Sequence, residues 1–190
     1  MSNFKKACKF IIEAHDGQIR KMVNTPYVFH LFEVSQIVST MSNDEDTWCA
    51  ALLHDCVEDR GISIDDIKKE FNERIAYLVS METEDKKGQV NKAATWKLRK
   101  IESLEELKNC NDIEVKKIWL ADKLSNIRSL YHCYLEDGDN IWNAFNEKDP
   151  KNHGWYYSEI GRLLKELKDY TAYKEYIEIV KKLFGGYDEI

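Results

Sequence analysis

The stretch "DIEVKKIWLADKLSNIRSLYHCYL", residues 112–135, decides the fold class. Its apolar residues recur at spacings of three and four, the period of one face of an α-helix. Inside it Asp122 stands among Ile118, Trp119, Leu120, Ala121 and Leu124. A carboxylate in that company is expensive unless something compensates its charge. The stretch therefore sets two expectations, a helical protein and a charge that is buried for a reason.

The same periodicity extends outward in both directions. "NFKKACKFIIEAH" (3–15) reads as a helix ended at Gly17, and "TPYVFHLFEVSQIVSTM" (25–41) as one with Thr25 as N-cap and Pro26 at its first position. "NDEDTWCAALLHDCVED" (43–59) opens on capping residues and an acidic first turn, then runs apolar. "SIDDIKKEFNERIAYLVS" (63–80) reads as two short helices, the first capped by Ser63, and the polar "TEDKKGQVNKAAT" (83–95) as a loop. "WKLRKIESLEEL" (96–107) is helical. "EDGDN" and "EKDPKNHG" break the chain, and the rest, to about residue 184, carries the stripe Ile160, Leu163, Leu164 and Leu167. No repeat, linker or strand stands out, and the expectation is one all-α domain spanning 1–190, a single compact helical bundle.

Composition narrows the function classes. Of the 190 residues 43% are hydrophobic and 33% charged, a globular balance. A net charge of -6 argues against nucleic-acid binding, whose footprint is basic. It also requires a local cation cluster or a metal before a polyanion is accepted. The five cysteines (Cys8, Cys49, Cys56, Cys110, Cys133) form no CxxC pair and fit a reduced, cytoplasmic chain without zinc or disulfides. The first apolar patch is too short and interrupted for a secretory signal, and no run approaches a membrane span.

Chemistry gathers around "ALLHDCVEDR" (51–60), where an apolar run meets His54, Asp55, Glu58 and Asp59. His30 lies in "YVFHLFEV", and Asp122 in the stretch already quoted. Three apolar helices each bring ligand types inward, and one divalent cation would satisfy His30, His54, Asp55 and Asp122 together. Two imidazoles and two carboxylates suit Mn²⁺, Fe²⁺ or Zn²⁺, and lack the thiolates of a structural zinc site. Four protein ligands leave room for water and a substrate oxygen. Each histidine alone reads as a hydrogen-bonded core or surface residue; the joint pattern outweighs that. His132 and His153 have no such context and read as surface or capping residues. On a continuing helix Glu58 shares a face with His54 and Asp55, and Asp59 follows Asp55 by four residues. Both acids then reach the open side of the metal, where they orient water or move its proton. At a helix C-terminus they oppose the macrodipole, so a structural role explains them poorly.

The set His30, His54-Asp55 and Asp122 resembles the HD phosphohydrolase superfamily. "AHDGQIRK", "TPYVFH", "ALLHDCVED" and "LADKLSNIRS" are similar to the hydrolase domain of the RelA/SpoT family, above all its small stand-alone alarmone hydrolases. The likeness runs from about residue 5 to 131 and fades into a helical tail, about 136–186. It implies a Mn²⁺-dependent enzyme that removes pyrophosphate from the ribose 3′ position of the nucleotide (p)ppGpp. It further implies His30, His54, Asp55 and Asp122 as metal ligands and Glu58 and Asp59 as the catalytic acid pair. Arg20 and Lys21 would line the nucleotide pocket, and Asn126 and Ser129 would face sugar and base. Arg20 can stack on a base or fork onto phosphate, while Lys21 offers a compact charge; unaided, the pair reads as solvated. Lys86, Arg99, Lys100 and Lys123 are further basic candidates. Ser125 stands where many relatives have a larger ring, and Lys123 where long enzymes often have arginine, which bears on substrate preference. No synthetase module is expected.

Two other readings compete. An HD phosphohydrolase acting on a different phosphorylated nucleotide would keep the metal set, and the "RK…TPY" segment and acid pair favour the alarmone over it. A nucleotide-binding regulatory module would have lost a ligand or the Glu58-Asp59 pair, and the sequence retains both. A purely structural metal is disfavoured by the oxygen-rich ligand set and the flanking acids.

Overall fold

The computed structural model describes residues 2–83 and 95–185. Most of the loop expected at 83–95, with Lys86, lies outside the described residues. The described helices are α1 (Asn3–Ala14), α2 (Val28–Ser39), α3 (Glu45–Leu53), α4 (Cys56–Arg60), α5 (Ile64–Glu70), α6 (Glu73–Ser80), α7 (Trp96–Asn109), α8 (Ile113–Asp137), α9 (Pro150–Leu163) and α10 (Thr171–Phe184). No strand occurs among the described residues, and the all-α expectation holds. The chain divides into two compact units, one of residues 1–85 and 111–122, the other of 86–110 and 123–190. No described helix is long and apolar enough to cross a membrane.

In the first unit α1, α2 and α6 pack on α3. That explains why α3 is apolar on every side: Cys49, Ala50, Ala51, Leu52 and Leu53 are all fully buried. Burying a leucine such as Leu52 or Leu53 is worth about 1.5–3 kcal/mol, so this centre anchors the unit. Polar caps set where its helices begin. Asp44 accepts from the Asp46 and Thr47 amides, Ser63 and Asp66 form a capping box as the sequence suggests, and Asn72 accepts from Ile75. Arg74 of α6 forks onto Asp112 at the foot of α8.

Two expected helix boundaries are corrected. Thr25 and Pro26 do not open α2. The Arg20 amide donates to the Thr25 carbonyl at 2.8 Å and the Tyr27 amide to the Gln18 carbonyl at 2.9 Å. Ile19 and Pro26 thus form an isolated antiparallel bridge, in which proline's missing N–H costs nothing. The helix starts only at Val28, and no side chain caps it. Likewise the helix expected through 43–59 is broken: α3 ends at Leu53 with His54 as C-cap, and Asp55 opens α4. Asp55 has φ -92° and ψ -3°, the sparsely allowed bridge region common among active-site residues. Glu58 and Asp59 therefore lie in the first turn of a new helix, where the dipole favours acids. The macrodipole argument against a structural role falls.

In the second unit α9 packs on α7 and α10. Ile160, Leu164 and Leu167 are buried as expected, while Leu163 is half-buried and a 3₁₀ turn, Lys165–Leu167, separates α9 from α10. Tyr176 is fully buried and its hydroxyl donates to the Tyr157 carbonyl at 2.6 Å. His153 is not a surface residue. It is buried among Trp96, Trp142 and Phe145, with Nε2 2.9 Å from the Glu147 carbonyl, and burial lowers its pKa. His132 is exposed beside Glu136, as expected.

Candidate metal centre and active site

Three short approaches deliver the ligand candidates within the first unit. The first turn of α2 carries His30, the junction of α3 and α4 carries His54 and Asp55, and the middle of α8 carries Asp122. Ligand atoms of His30, His54 and Asp122 all lie within 4.8 Å of one another. Asp122 Oδ1 is 3.2 Å from His30 Nε2 and 3.6 Å from His54 Nε2. Asp55 Oδ2 is 3.1 Å from His54 Nε2 and 3.7 Å from His30 Nε2. The sequence expectation that these four residues converge is met by the geometry.

The donor set fits a cation. His54 Nδ1 donates to the Ala51 carbonyl at 2.8 Å, which turns Nε2 toward the two carboxylates. That buried Nε2 faces Asp55 Oδ2 and Asp122 Oδ1, a nitrogen and two carboxylate oxygens whose lone pairs a cation would satisfy together. Without a cation the charges sort themselves by proximity. Burial disfavours the His54 imidazolium, yet Asp55 and Asp122 outweigh it and hold its pKa well above the ordinary value. His30 is lowered, because burial there prevails over the nearby Asp122. Burial would raise Asp55, but His54 and His30 bring it below the usual carboxylate range.

Tyr27, which the sequence reading gave no role, donates its hydroxyl to Asp55 Oδ2 at 2.5 Å. Burial and the Asp55 charge raise its pKa far above the ordinary phenol value, so it is a permanent donor. Its ring stacks on His15, centroids 5.4 Å apart. His15 and Gln18 were also passed over. His15 Nδ1 lies 2.8 Å from Gln18 Oε1, and Gln18 Nε2 donates to Asp59 Oδ2 at 3.0 Å. The one available signal was spacing: Tyr27 precedes His30 by three residues, and Gln18 follows His15 by three. Tyr27→Phe keeps the ring but frees Asp55 Oδ2. Metal affinity is expected to fall about tenfold or more, read by titration of the metal-free protein, with little change in melting temperature; unchanged affinity would detach Tyr27 from the site.

The remaining candidates are less gathered. Glu58 is half-buried and Asp59 exposed, three and four residues after Asp55 in the first turn of α4. Arg20 is half-buried, and its charge reaches His30, whereas Lys21 is exposed. Asn126 and Ser129 lie further along α8, in the second unit, where the Ser129 hydroxyl donates to the Ser125 carbonyl at 3.2 Å. Arg99, Lys100 and Lys123 also belong to the second unit, with Lys100 over the Tyr156 ring.

The chain is similar to known proteins along most of its length. The chain is 32% identical over 127 residues to the guanosine-3′,5′-bis(diphosphate) 3′-pyrophosphohydrolase of Aquifex aeolicus, 67% of this chain and 18% of that protein. It therefore spans under a fifth of that relative's length. It is 36% identical over 132 residues to the guanosine-3′,5′-bis(diphosphate) 3′-pyrophosphohydrolase MESH1 of Drosophila melanogaster, 68% of this chain and 70% of that one. A solved structure of a metazoan ortholog of SpoT that hydrolyzes ppGpp superposes with a TM-score of 0.78 at 26% identity, over 98% of both chains. Residues 7–147 match the HD domain, and the chain belongs to the HD domain family.

Proposed function

We propose that the chain is a metal-dependent hydrolase that removes the 3′-pyrophosphate from (p)ppGpp, giving GDP or GTP and pyrophosphate. The convergence of His30, His54, Asp55 and Asp122, with the buried His54 Nε2 facing both carboxylates, carries the reading. The named activity of the MESH1 relatives and the kinship with a SpoT ortholog support the substrate.

Chemically, the bond between the ribose 3′ oxygen and the adjacent phosphorus breaks. Water supplies the hydroxyl that stays on phosphorus, and its proton ends on the 3′ oxygen. His30, His54, Asp55 and Asp122 would hold a divalent ion, Mn²⁺ in this proposal, which when bound would supply Lewis-acid chemistry at the phosphoryl group. Glu58 and Asp59 orient the attacking water and carry its proton. Arg20 and Lys21 receive phosphate or stack on the base, while Asn126 and Ser129 face sugar and base. These cations offset the negative charge of the chain where the polyanion enters. We read residues 1–190 as one HD domain, supported by a family match that runs across both compact units. A cytoplasmic setting is supported by the sequence, whose five cysteines form no CxxC pair. The expected partner is the small nucleotide alone, with no nucleic acid and no membrane.

The test is incubation of the purified protein with ppGpp and Mn²⁺, with products resolved by ion-exchange chromatography. GDP with intact pyrophosphate supports the reading. No turnover with metal bound counts against it.

A further inference from the structure

We propose that Gln18 is a positioning residue that aims the Asp59 carboxylate, and that His15 fixes which end of the Gln18 amide faces it. The inference rests on the reading of Asp59 as a proton-carrying acid.

A glutamine amide has a donor end and an acceptor end, and the wrong end toward a carboxylate repels it. Here Gln18 Nε2 faces Asp59 Oδ2 at 3.0 Å and Oε1 faces His15 Nδ1 at 2.8 Å. For both to be hydrogen bonds, His15 must carry its proton on Nδ1. Its Nε2 is then an acceptor, and the Cys56 thiol, 3.5 Å away, is the group that can donate to it. The series Cys56, His15, Gln18, Asp59 thus has one direction, with each group donating to the next in the order thiol to Nε2, Nδ1–H to amide oxygen, amide N–H to carboxylate.

The anchoring end is buried, and the working end lies at the surface. His15 is 2% exposed and Cys56 fully buried, whereas Asp59 is exposed. His15 also stacks face to face on Tyr27, whose hydroxyl holds Asp55. One imidazole therefore registers both the ligand carboxylate, through Tyr27, and the acid, through Gln18. The turn after α1, closed by the bond from the Gln18 amide to the His15 carbonyl at 3.0 Å, keeps the two side chains in reach. The arrangement also disposes of a tempting alternative. Cys56 with His15 is not a nucleophile pair, because the thiol is buried behind the imidazole and faces away from solvent.

The test is a double-mutant cycle with ppGpp as substrate and Mn²⁺ bound. Gln18→Met removes the amide at nearly constant size, and kcat is expected to fall roughly tenfold with KM within about twofold and metal stoichiometry unchanged. In an Asp59→Asn background the same change should cost nothing further, since the group it aims is gone. His15→Phe keeps the stack on Tyr27 but frees the amide to flip, and should give an intermediate loss. Gln18→Ala repeats the measurement should the methionine disturb the turn. An undiminished kcat in Gln18→Met, or the same factor lost with and without Asp59, overturns the proposal. A full-rate Asp59→Asn enzyme would instead remove the acid assignment itself, a separable failure.

Discussion

On the proposed function, replacing Asp59 with asparagine, or Glu58 with glutamine, is expected to lower kcat for ppGpp hydrolysis by about a hundredfold or more with metal binding retained. Both substitutions preserve shape and remove a carboxylate, so they test proton handling and little else. The backbone makes the placement firm. Asp55 opens α4, and the Asp59 amide donates to the Asp55 carbonyl at 2.9 Å, so the acid is one helical turn from a metal ligand. Stability should hardly change. The two acids lie in the first turn of a five-residue helix, and Asp59 is exposed, so the lost dipole interaction is worth well under about 1 kcal/mol. The readouts are kcat and KM for each variant, metal content, and the thermal midpoint. A collapse of kcat at constant metal content and midpoint is the expected pattern. Wild-type kcat in either variant takes that acid out of the mechanism.

The cluster of His30, His54, Asp55 and Asp122 was legible in the sequence because burial and charge conflict there. Asp122 between Ala121 and Lys123 on α8, and His54-Asp55 after Ala51-Leu52-Leu53, break apolar runs that would otherwise be pure core. Helix periodicity placed most elements, since α6 and α10 bury residues at helical spacing. What the sequence concealed was local backbone geometry. Nothing in "LLHDCVED" announces that the helix stops at Leu53 and restarts at Cys56, because His54 stays in the right-handed region and Asp55 shifts only to the adjoining bridge region. "TPY" imitated a helix start, yet the Gln18 and Thr25 carbonyls took the amides that decide the turn. Tyr27, His15 and Gln18 were hidden for a different reason. Their roles exist only through partners 28 or 41 residues away, namely Asp55, Cys56 and Asp59, and no periodic pattern encodes such contacts.

His54→Ala abolishes metal binding and costs the metal-free protein about 3 kcal/mol of stability, the two effects sharing one cause. In the absence of metal, the raised pKa of His54 means that an imidazolium sits between Asp55 and Asp122. Removing it leaves two carboxylates facing each other in a largely buried space. Asp122→Asn should cost less, because the 3.1 Å pair of His54 with Asp55 survives. The sign of the pH dependence follows from the same groups. A raised His54 pKa stabilises the metal-free fold below its unfolded value and is lost as pH climbs through the folded one. A depressed Asp55 pKa stabilises it above the unfolded carboxylate value and is lost on acidification. His30, lowered by burial, takes stability away as pH drops below the ordinary histidine value, so metal-free protein should be most stable near about pH 6.5 and lose stability on either side. A divalent cation must displace the His54 proton, so its affinity rises with pH by up to about tenfold per unit below the folded pKa. Calorimetric titration with Mn²⁺ in two buffers of different ionisation enthalpy reads that proton directly. Release on binding to the wild type, with no binding to His54→Ala, is the expected pair of results. Stoichiometric metal in His54→Ala would place the cation elsewhere and leave the buried Nε2 without its explanation.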